Sequence, residues 1–364
     1  MTTLLGCVTY TRAYDHCDHC HHGWHPTDVD LDLQTSRTRG AQEVIALGGV
    51  QVAFGEVAQR SLPRMTGLNV SESTVQRVTE AAGHEVDRHA AVEQPLGPAE
   101  DWTWPVDAEG RTTAYVALDA SGVPQQGPHG EQVEGRMPWV ASVFAPVPRD
   151  AKAKHRLRRV RYQSGLMSLP EIGRRRRRDC EEVGVAQADV VICLTDGGNG
   201  LEECLTQTVL NGIAREIVTI LDYDHAADAV VKFVTASVPA AQATTAQDAW
   251  LHKLKHSGGT AILSDLESLD LTAATAEARE LHRQTCGYLR HKLHRMDSPS
   301  YLSRGWEIGS GEIESACKSI IGGRLKGPGM RWREPGTTAV CALRALFKSD
   351  PHLWDPHWSQ PTAG

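Results

Sequence analysis

Three acidic residues, widely separated in the 364-residue sequence, could together hold metal ions. Asp119 and Asp196 each follow an apolar run typical of a strand, and Glu314 lies in the first turn of a helix predicted after Gly309-Ser310-Gly311. Mg²⁺ prefers oxygen ligands and keeps several waters, so two or three carboxylates suffice. Two such ions, roughly 3.5–4 Å apart, would activate an attacking water or hydroxyl and stabilise the leaving oxygen of a phosphodiester. In that arrangement Asp119 bridges both ions, while Asp196 and Glu314 each complete one.

Each acid taken alone is more typical of a surface carboxylate or a helix cap, and only the joint placement favours a metal site. Glu312 competes with Glu314 for the third position. Two residues along a helix correspond to a rotation of about 200°, so both side chains cannot face the same ions. Glu312 lies nearer the preceding turn, which favours Glu314.

The elements that must position these acids predict an α/β domain of the RNase H-like class, with a mixed sheet. Three leading strands, then helix, strand, helix and strand, are the order of that class. Asp119 and Asp196 fall at strand ends, where α/β sheets place their sites. The strand-like runs are residues 115–118, 139–144, 160–162, 189–194 and 217–221.

Two features precede this domain. Cys17-Asp18-His19-Cys20, with several histidines nearby, is half of a zinc-ribbon pattern, and a His-rich turn without metal is the alternative. Further on, helical segments flank a turn at residues 66–68, and Ser71 is a good N-cap for the second. This pair resembles a helix-turn-helix, which would contact a DNA groove, but a structural helical hairpin is equally compatible.

The predicted organisation follows from these segments and from changes in composition along the chain. From about residue 226 to 298 the pattern is helical throughout, which predicts an insertion before the chain returns to the sheet. The predicted order is a zinc-ribbon-like segment (1–35), a helical, helix-turn-helix-like DNA-binding region (36–94), the first part of the catalytic core (106–235), an all-helical insertion (236–300), the returning helix of the core (301–348) and a tail (349–364).

Composition narrows the class of protein. The chain is 40% hydrophobic and 23% charged, and it lacks a run of about 20 apolar residues that could span a membrane. Nine scattered cysteines indicate reduced thiols in the cytoplasm rather than a disulfide framework. The net charge of −7 disfavours nucleic acid as a partner, but residues 151–178 contain eleven Lys or Arg and one acid. Such a local basic patch can still contact a phosphate backbone.

The motifs resemble those of the DDE transposases of bacterial insertion sequences, specifically the ISKra-type group. The resemblance rests on Asp119 after Val116-Ala117-Leu118, on Asp196-Gly197-Gly198, on the run from Gly309 to Lys318, and on the closing segments 322–326 and 329–332. In that pattern the acid five residues after the first Gly, Glu314, is catalytic together with Asp119 and Asp196. Asp222 and His225 resemble an accessory Asp-x-x-His signature.

The resemblance implies Mg²⁺- or Mn²⁺-dependent hydrolysis of a DNA strand and joining of the freed 3′-hydroxyl to target DNA. Its implied partners are transposon ends, target DNA and further copies of the chain, in a cytoplasmic, nucleoid-associated complex, with zinc at Cys17 and Cys20. The candidate DNA contacts are basic residues, each with a solvated or charged helix face as the alternative: Arg174, Arg175, Arg176, Arg177, Arg178, Lys318, Arg324, Lys326 and Arg331.

Two other functions remain open from the sequence. The first is an inactive or domesticated transposase-derived protein that binds DNA without cutting it. The second is a Mg²⁺-dependent phosphatase of the haloacid-dehalogenase kind, with Asp119 as nucleophile. That chemistry needs a second Asp two residues later, where this chain has Ser121, and it leaves the run from Gly309 to Lys318 unexplained.

Overall fold

The computed structural model describes residues 1–30, 33, 37–92, 94–145 and 159–359. Its first described part contains two short antiparallel hairpins and one helix. The bounds are Thr2–Thr3 with Gly6–Cys7, Asp15–His16 with Gly23–Trp24, and the helix Pro26–Asp30.

A helical region follows, built from two long helices, α1 (Arg39–Gln51) and α2 (Glu72–Ala91). Short helical segments connect them at Phe54–Glu56, Val57–Ser61 and Leu62–Met65, of which the second is a π-helical turn. Ser71 caps α2 as the sequence predicts, accepting a hydrogen bond of 3.2 Å from the Thr74 amide. The predicted pair of helices around a turn is therefore present.

The centre of the molecule is a five-stranded mixed sheet. Its strands in chain order are β1 (Thr113–Ala120), β2 (Trp139–Ala145), β3 (Arg159–Gly165), β4 (Val190–Thr195) and β5 (Ile217–Leu221). The spatial order is β5-β4-β1-β2-β3, with β1, β4 and β5 parallel and β2 antiparallel to both of its neighbours. The predicted mixed α/β domain is confirmed, with a small hairpin added between β1 and β2 (Val123–Gln126 with Gln132–Arg136).

Both faces of the sheet are buried, which explains the nearly continuous apolar sequence of β1 and β4. Val116 and Leu118 face a cluster that includes Ile172 and Cys180 of α3 (Leu169–Glu182). Tyr115 and Ala117 face the opposite cluster, which is formed with helices from the C-terminal part of the chain. Two helical segments flank β4 in the chain: the 3₁₀ turn Val185–Gln187 precedes it, and the stretch Leu201–Glu203 with Cys204–Val209 follows it.

A helical unit with its own core follows β5. It consists of α4 (Tyr223–Ser237), α5 (Ala240–Glu267) and α6 (Ala276–Arg290), followed by Leu293–Arg295 and Ser298–Ser303. Buried side chains such as Phe233, Ile262 and Leu289 form its centre. Since no strand is assigned between 223 and 303, the helical pattern predicted there is present.

The chain then returns to the sheet through α7 (Gly311–Ala316), which continues as a π-helical turn Cys317–Gly322 and a short helix Gly323–Leu325. Helix α8 (Glu334–Lys348) packs along β3 and along α2. Gly83 of α2 allows this packing: a Cβ there would lie 2.1 Å from the carbonyl oxygen of Ala339. The helical region is thus fixed directly to the sheet domain.

The C-terminal segment expected to be a tail contributes to the core over its described length. Helix α9 (Trp354–Ser359) buries Trp354 and Trp358 against α1 and α8. Arg39 of α1 donates hydrogen bonds to the carbonyl oxygens of His357 and Trp358. The apolar content of this segment, rather than its terminal position, decides its packing.

No described helix is long and apolar enough to cross a membrane. Residues 151–158 of the predicted basic patch lie outside the described residues, as do residues 31–32 and 34–35 of the predicted zinc-ribbon-like segment.

Candidate functional site

Three aspartates lie side by side at the carboxyl ends of three neighbouring parallel strands. Leu194 pairs with Ala117, and Thr195 pairs with Leu221. Continuing these registers brings Asp196 level with Asp119 on one side and with Asp222 on the other. Because side chains alternate along a strand, all three share the sheet face of Ala117, Leu194 and Ile220. We call Asp119, Asp196 and Asp222 the acid row.

Asp119 lies at the centre of the sheet, partly buried beneath the helix that carries Glu314. Its carboxylate accepts hydrogen bonds from the Ala120 amide at 2.7 Å and from the Cys317 thiol at 3.5 Å. Burial raises the pKa of Asp119, and the nearby negative charge of Asp196 raises it further. The site therefore holds two like charges close enough to disturb each other, an arrangement that a cation would stabilise.

The Asp196-Gly197-Gly198 turn holds Asp196 in the row. The Asp196 carboxylate accepts a 2.7 Å hydrogen bond from the Gly198 amide. Gly197 has a φ of +79°, and a Cβ at this position would lie 2.1 Å from Lys292 Nζ. A side chain at residue 197 would thus be strained and would also displace Lys292, which donates a hydrogen bond to the Gly197 carbonyl.

Asp222 is the fully buried member of the row and joins three parts of the molecule. It caps α4 through the Asp224 amide at 3.0 Å, and it accepts a 2.8 Å hydrogen bond from His225 Nδ1. It also accepts hydrogen bonds from the amide and hydroxyl of Ser310, the residue before α7. Asp222 therefore fixes both His225 and the start of the Glu314 helix.

The charges of all three members of the row act on the imidazole of His225. Burial lowers the pKa of its imidazole, but the hydrogen bond and charge of Asp222, with the charges of Asp196 and Asp119, outweigh this effect and raise the pKa overall. Its side chain is 47% exposed. A half-exposed imidazolium beside the acids can therefore contact solvent or a ligand.

The two glutamates of α7 point in different directions. Glu312 is buried and accepts a hydrogen bond from the Tyr162 hydroxyl across the sheet. Glu314 is 33% exposed and pairs with Lys318 at 3.1 Å. The pKa of Asp224 is raised by burial, by the charge of Asp222 and, to a smaller extent, by the charge of Glu314. Cys317, one turn after Glu314, contacts Asp119. Glu314 thus lies near Asp224, on the helix whose Cys317 contacts Asp119, whereas Glu312 belongs to the core.

Sequence reasoning missed a groove beside Asp196 that is lined by three basic residues, His291, Lys292 and Arg295, and by two acids, Glu202 and Glu203. We call it the cationic groove after the three basic residues. A cavity of about 920 Å³ lies between the turn after Asp196 and the end of the helical unit. Arg295 lines it and is buried, paired with Glu202 at 3.2 Å, and no described residue accepts a hydrogen bond from its Nε. Lys292 and His291 line the same cavity. The basic run 290–295 was the available signal, since five of its six residues are Arg, Lys or His.

The positions of these side chains limit how a metal ion could be held. Among the described residues, no three His, Cys, Asp or Glu side chains are grouped closely enough to hold a metal ion. Mg²⁺ does not require such a cage, because it keeps waters and is commonly held by one or two carboxylates together with substrate phosphate oxygens. Asp119 and Asp196 supply two carboxylates whose negative charges repel each other, and this pair meets that smaller requirement.

The five consecutive arginines predicted to bind DNA each have a partner within the chain. Arg175 bridges Asp87 and Glu171, and Arg178 pairs with Glu182 at 2.7 Å. Arg176 is fully buried and donates to the carbonyl oxygens of Ala141 and Arg161, next to Asp179. Arg174 and Arg177 are the more exposed two, and they pair with Glu171 and Glu181. These contacts account for the arginines structurally, and DNA binding by them stays a prediction.

The four basic residues near α7 also differ in how far they are exposed. Lys318 is 79% exposed beside Glu314, and Lys326 reaches Ser121 Oγ at 2.7 Å. Arg331 is exposed at the edge of a second cavity. Arg324 is buried and donates to the Gly49 carbonyl oxygen at 2.8 Å. Lys318, Lys326 and Arg331 are therefore accessible to a ligand on the surface, whereas Arg324 is not.

The Cys17 and Cys20 thiols lie in the tight turn of the second N-terminal hairpin. Hydrogen bonds from the Cys20 amide and thiol lower the pKa of Cys17. Tetrahedral zinc requires four ligands, and the described residues supply no third ligand grouped with this pair. The expected zinc site is therefore incomplete within the described part of this chain.

The fold and the site together define a mixed α/β protein with a row of acids at the carboxyl edge of its sheet. Comparison with protein-family models and with curated proteins finds no match for this chain.

Proposed function

We propose that this protein is a DNA transposase with an RNase H-like catalytic domain, which cuts and rejoins phosphodiesters at the ends of a mobile element. The observation that carries the proposal is the register of the parallel strands, which sets Asp119, Asp196 and Asp222 level on the face that the Glu314 helix covers. The strand order, with three leading antiparallel strands and two parallel ones, agrees with an RNase H-like domain.

Each residue of the site has a defined role in this proposal. Asp119 and Asp196 would hold Mg²⁺ or Mn²⁺ together with waters and DNA oxygens. Glu314 would join them as the third carboxylate only by moving closer when metal and DNA bind, since the three are not grouped in this structure. When bound, the metal supplies Lewis-acid activation of the attacking oxygen and stabilises the leaving oxygen. Asp222 is a positioning residue, because it orients His225 and fixes the start of α7 through Ser310.

The cationic groove provides the place for the strand next to the reacting phosphate. Lys292 and Arg295 lie beside the Asp196 turn, where they can donate hydrogen bonds to backbone phosphate oxygens. His225, positively charged below its raised pKa, offsets the negative charge of the row and of an incoming phosphate. Contacts of this kind position a strand without reading its sequence. A complex holding two element ends would contain more than one copy of the chain.

The test is DNA nicking by the purified full chain on a supercoiled plasmid that carries the segments flanking its own gene. We expect nicking only with Mg²⁺ or Mn²⁺. Asp119→Asn and Asp196→Asn should each reduce the rate by about 10³-fold or more while retaining DNA binding, since charge stabilisation of the transition state is lost. Lys292→Ala should weaken nicking less, through DNA binding.

Asp248→Asn is the matched control, because Asp248 is exposed on α5 and is not a member of the acid row. It should leave nicking unchanged. If Asp119→Asn nicks DNA as fast as the unmodified chain, the enzyme proposal fails. DNA binding without any metal-dependent nicking by the unmodified chain would instead indicate a transposase-derived binding protein.

A further inference from the structure

A second cavity lies between the N-terminal helical region and the sheet domain, away from the acid row. Its volume is about 600 Å³, within the range of small-molecule sites. Residues from three separate segments line it, including Phe54, Glu72 and Glu80 from the helical region and Arg324, Arg331 and Trp332 from the segment after α7. None of these residues belongs to the acid row or to the cationic groove, although Arg324 and Arg331 are among the basic residues that the sequence predicts to contact DNA.

Arg324 is the distinctive group of this cavity. Its guanidinium packs against two aromatic rings that also contact each other edge-on, 4.5 Å from the Phe54 centroid and 5.0 Å from the Trp332 centroid. The side chain is 98% buried, since its exposed fraction is 2%. Nε donates to the Gly49 carbonyl oxygen, but within the described residues Nη2 has no hydrogen-bond partner. A buried donor without an acceptor is uncommon in folded proteins and indicates a missing partner.

The opposite side of the cavity offers hydrogen-bond acceptors. Glu80 is half-buried, and its Oε1 accepts a 2.9 Å hydrogen bond from Gln76. Glu72 lies one helical turn before Gln76 on the same face of α2. A bare anion would be repelled by these two carboxylates, although Arg324 and Arg331 would attract it. The occupant should therefore carry acceptors on one edge and donors on another, with a flat surface for Phe54.

We propose that this cavity binds a guanine base. Guanine presents the O6 and N7 acceptors that arginine recognises, and its N1–H and N2–H₂ groups can donate to a carboxylate. Half-buried Phe54 supplies a ring for stacking. The base can come from a free guanine nucleotide or from DNA in which it has left the double helix. The second source rests on the proposed function, and the first does not.

The first experiment measures binding of guanosine to the full chain by calorimetry, with adenosine and inorganic phosphate as comparison probes. We expect guanosine to bind at least tenfold more tightly than adenosine, and phosphate not to compete. Glu80→Gln should weaken guanosine binding at least fivefold. The control Glu85→Gln, on the same helix but outside the cavity lining, should leave binding unchanged. Arg324→Lys should also weaken binding, and Glu80→Gln keeps the test valid if that variant does not fold.

The second experiment separates the two sources with a DNA duplex carrying one unpaired guanine, compared with an unpaired adenine at the same position. If guanosine does not bind but the guanine duplex is preferred and Glu80→Gln removes the preference, DNA is the source. The proposal is overturned if phosphate competes with guanosine for the cavity, or if Glu80→Gln leaves binding unchanged in both experiments. Asp119→Asn should bind guanosine normally, so a failure of this site is distinguishable from a failure of the nicking proposal.

Discussion

The acid row and the run of five arginines in α3 are two dense groups of charge that the fold treats in opposite ways. Each arginine has an acid or a carbonyl oxygen as partner, brought from α2, from α3 itself or from the sheet. In the row, Asp119 and Asp196 lie close to each other, and the charge of Asp196 raises the pKa of Asp119. The arginines are neutralised by partners within the chain, whereas the acid row retains unfavourable charge.

This difference distinguishes a structural charge cluster from a functional one. The density of charge in a sequence does not distinguish a structural cluster from a functional one, because the difference depends on whether the fold places counter-charges beside it. Neutralised clusters stabilise the folded chain, and removing one member leaves its partner buried and unpaired. A cluster of like charges destabilises the folded chain and persists where a ligand uses it. Substitutions in the two regions should therefore change the free energy of unfolding by different amounts and in different directions.

The largest effect is expected in the arginine run, at its buried member. Arg176→Met removes hydrogen bonds to two strand carbonyls and leaves Asp179 buried without its counter-ion. We expect a loss of about 3–5 kcal/mol in denaturant unfolding. Arg174→Met, at the 57% exposed position of the same run, should cost less than about 1 kcal/mol. Equal losses at the two positions would contradict the distinction.

The next effect is expected at Asp222, the one member of the row that has a full set of partners. Asp222→Ala removes the cap of α4 and leaves Ser310 and His225 without their acceptor. We expect a loss of about 2–4 kcal/mol in the same measurement, from a lost cap and unsatisfied buried donors. Asp224→Ala should be close to neutral, because burial and neighbouring acids already disfavour that charge. A neutral Asp222→Ala would show that it does not join these segments.

A smaller effect of opposite sign is expected at Asp119. Its pKa is raised in the folded chain, so ionisation there weakens folding at any pH above that value. Asp119→Asn should therefore stabilise the protein by about 0.5–1 kcal/mol at pH 7, with the gain vanishing as pH falls toward about 4. Asp189→Asn should destabilise it, because hydrogen bonds from Thr112 lower the pKa of Asp189. Destabilisation by Asp119→Asn at pH 7 would argue against unfavourable charge in the row.

The smallest effect concerns the pH dependence at His225. Its pKa is raised in the folded chain, so the imidazolium stabilises folding fully below the unfolded value of about 6.5, and this contribution is lost as pH rises through the folded pKa. His225→Gln should therefore cost more stability at pH 6 than at pH 9, by less than about 1 kcal/mol because the side chain is half-exposed. His129→Gln, in an exposed turn, is the control, and a pH-independent cost at His225 would contradict the prediction.

Local patterns in the sequence were sufficient for the strands and for the positions of Asp119 and Asp196 at their ends. Alternation and apolar runs are properties of neighbouring residues, as is the Ser71 cap. Asp222 and His225 were found through resemblance alone, since an Asp after a strand has many roles. The meeting of Lys292 with Gly197 could not be read from the sequence, because it depends on where the helical unit docks.

The partners of the arginine run could not be predicted from the sequence. Its density indicates a polyanion-binding surface, but Asp87 and Glu182 are placed beside it only by tertiary packing. The same holds for Arg324, whose burial against Phe54 and Trp332 depends on two segments about 270 residues apart in the chain. Charge can be counted from the sequence, but its compensation is a property of the fold.

The attachment of the helical unit has a consequence for protein engineering. Its first helix is capped by Asp222, and its last turn is tied to the Asp196 loop through Lys292. Excising residues 223–300 with a short linker would therefore not yield a minimal sheet domain. It would leave Asp222 without the Asp224 amide and His225, and it would remove the Lys292 contact to the Gly197 turn. Because both contacts hold the carboxylates at the strand ends, the unit is a structural support for the site rather than a detachable module.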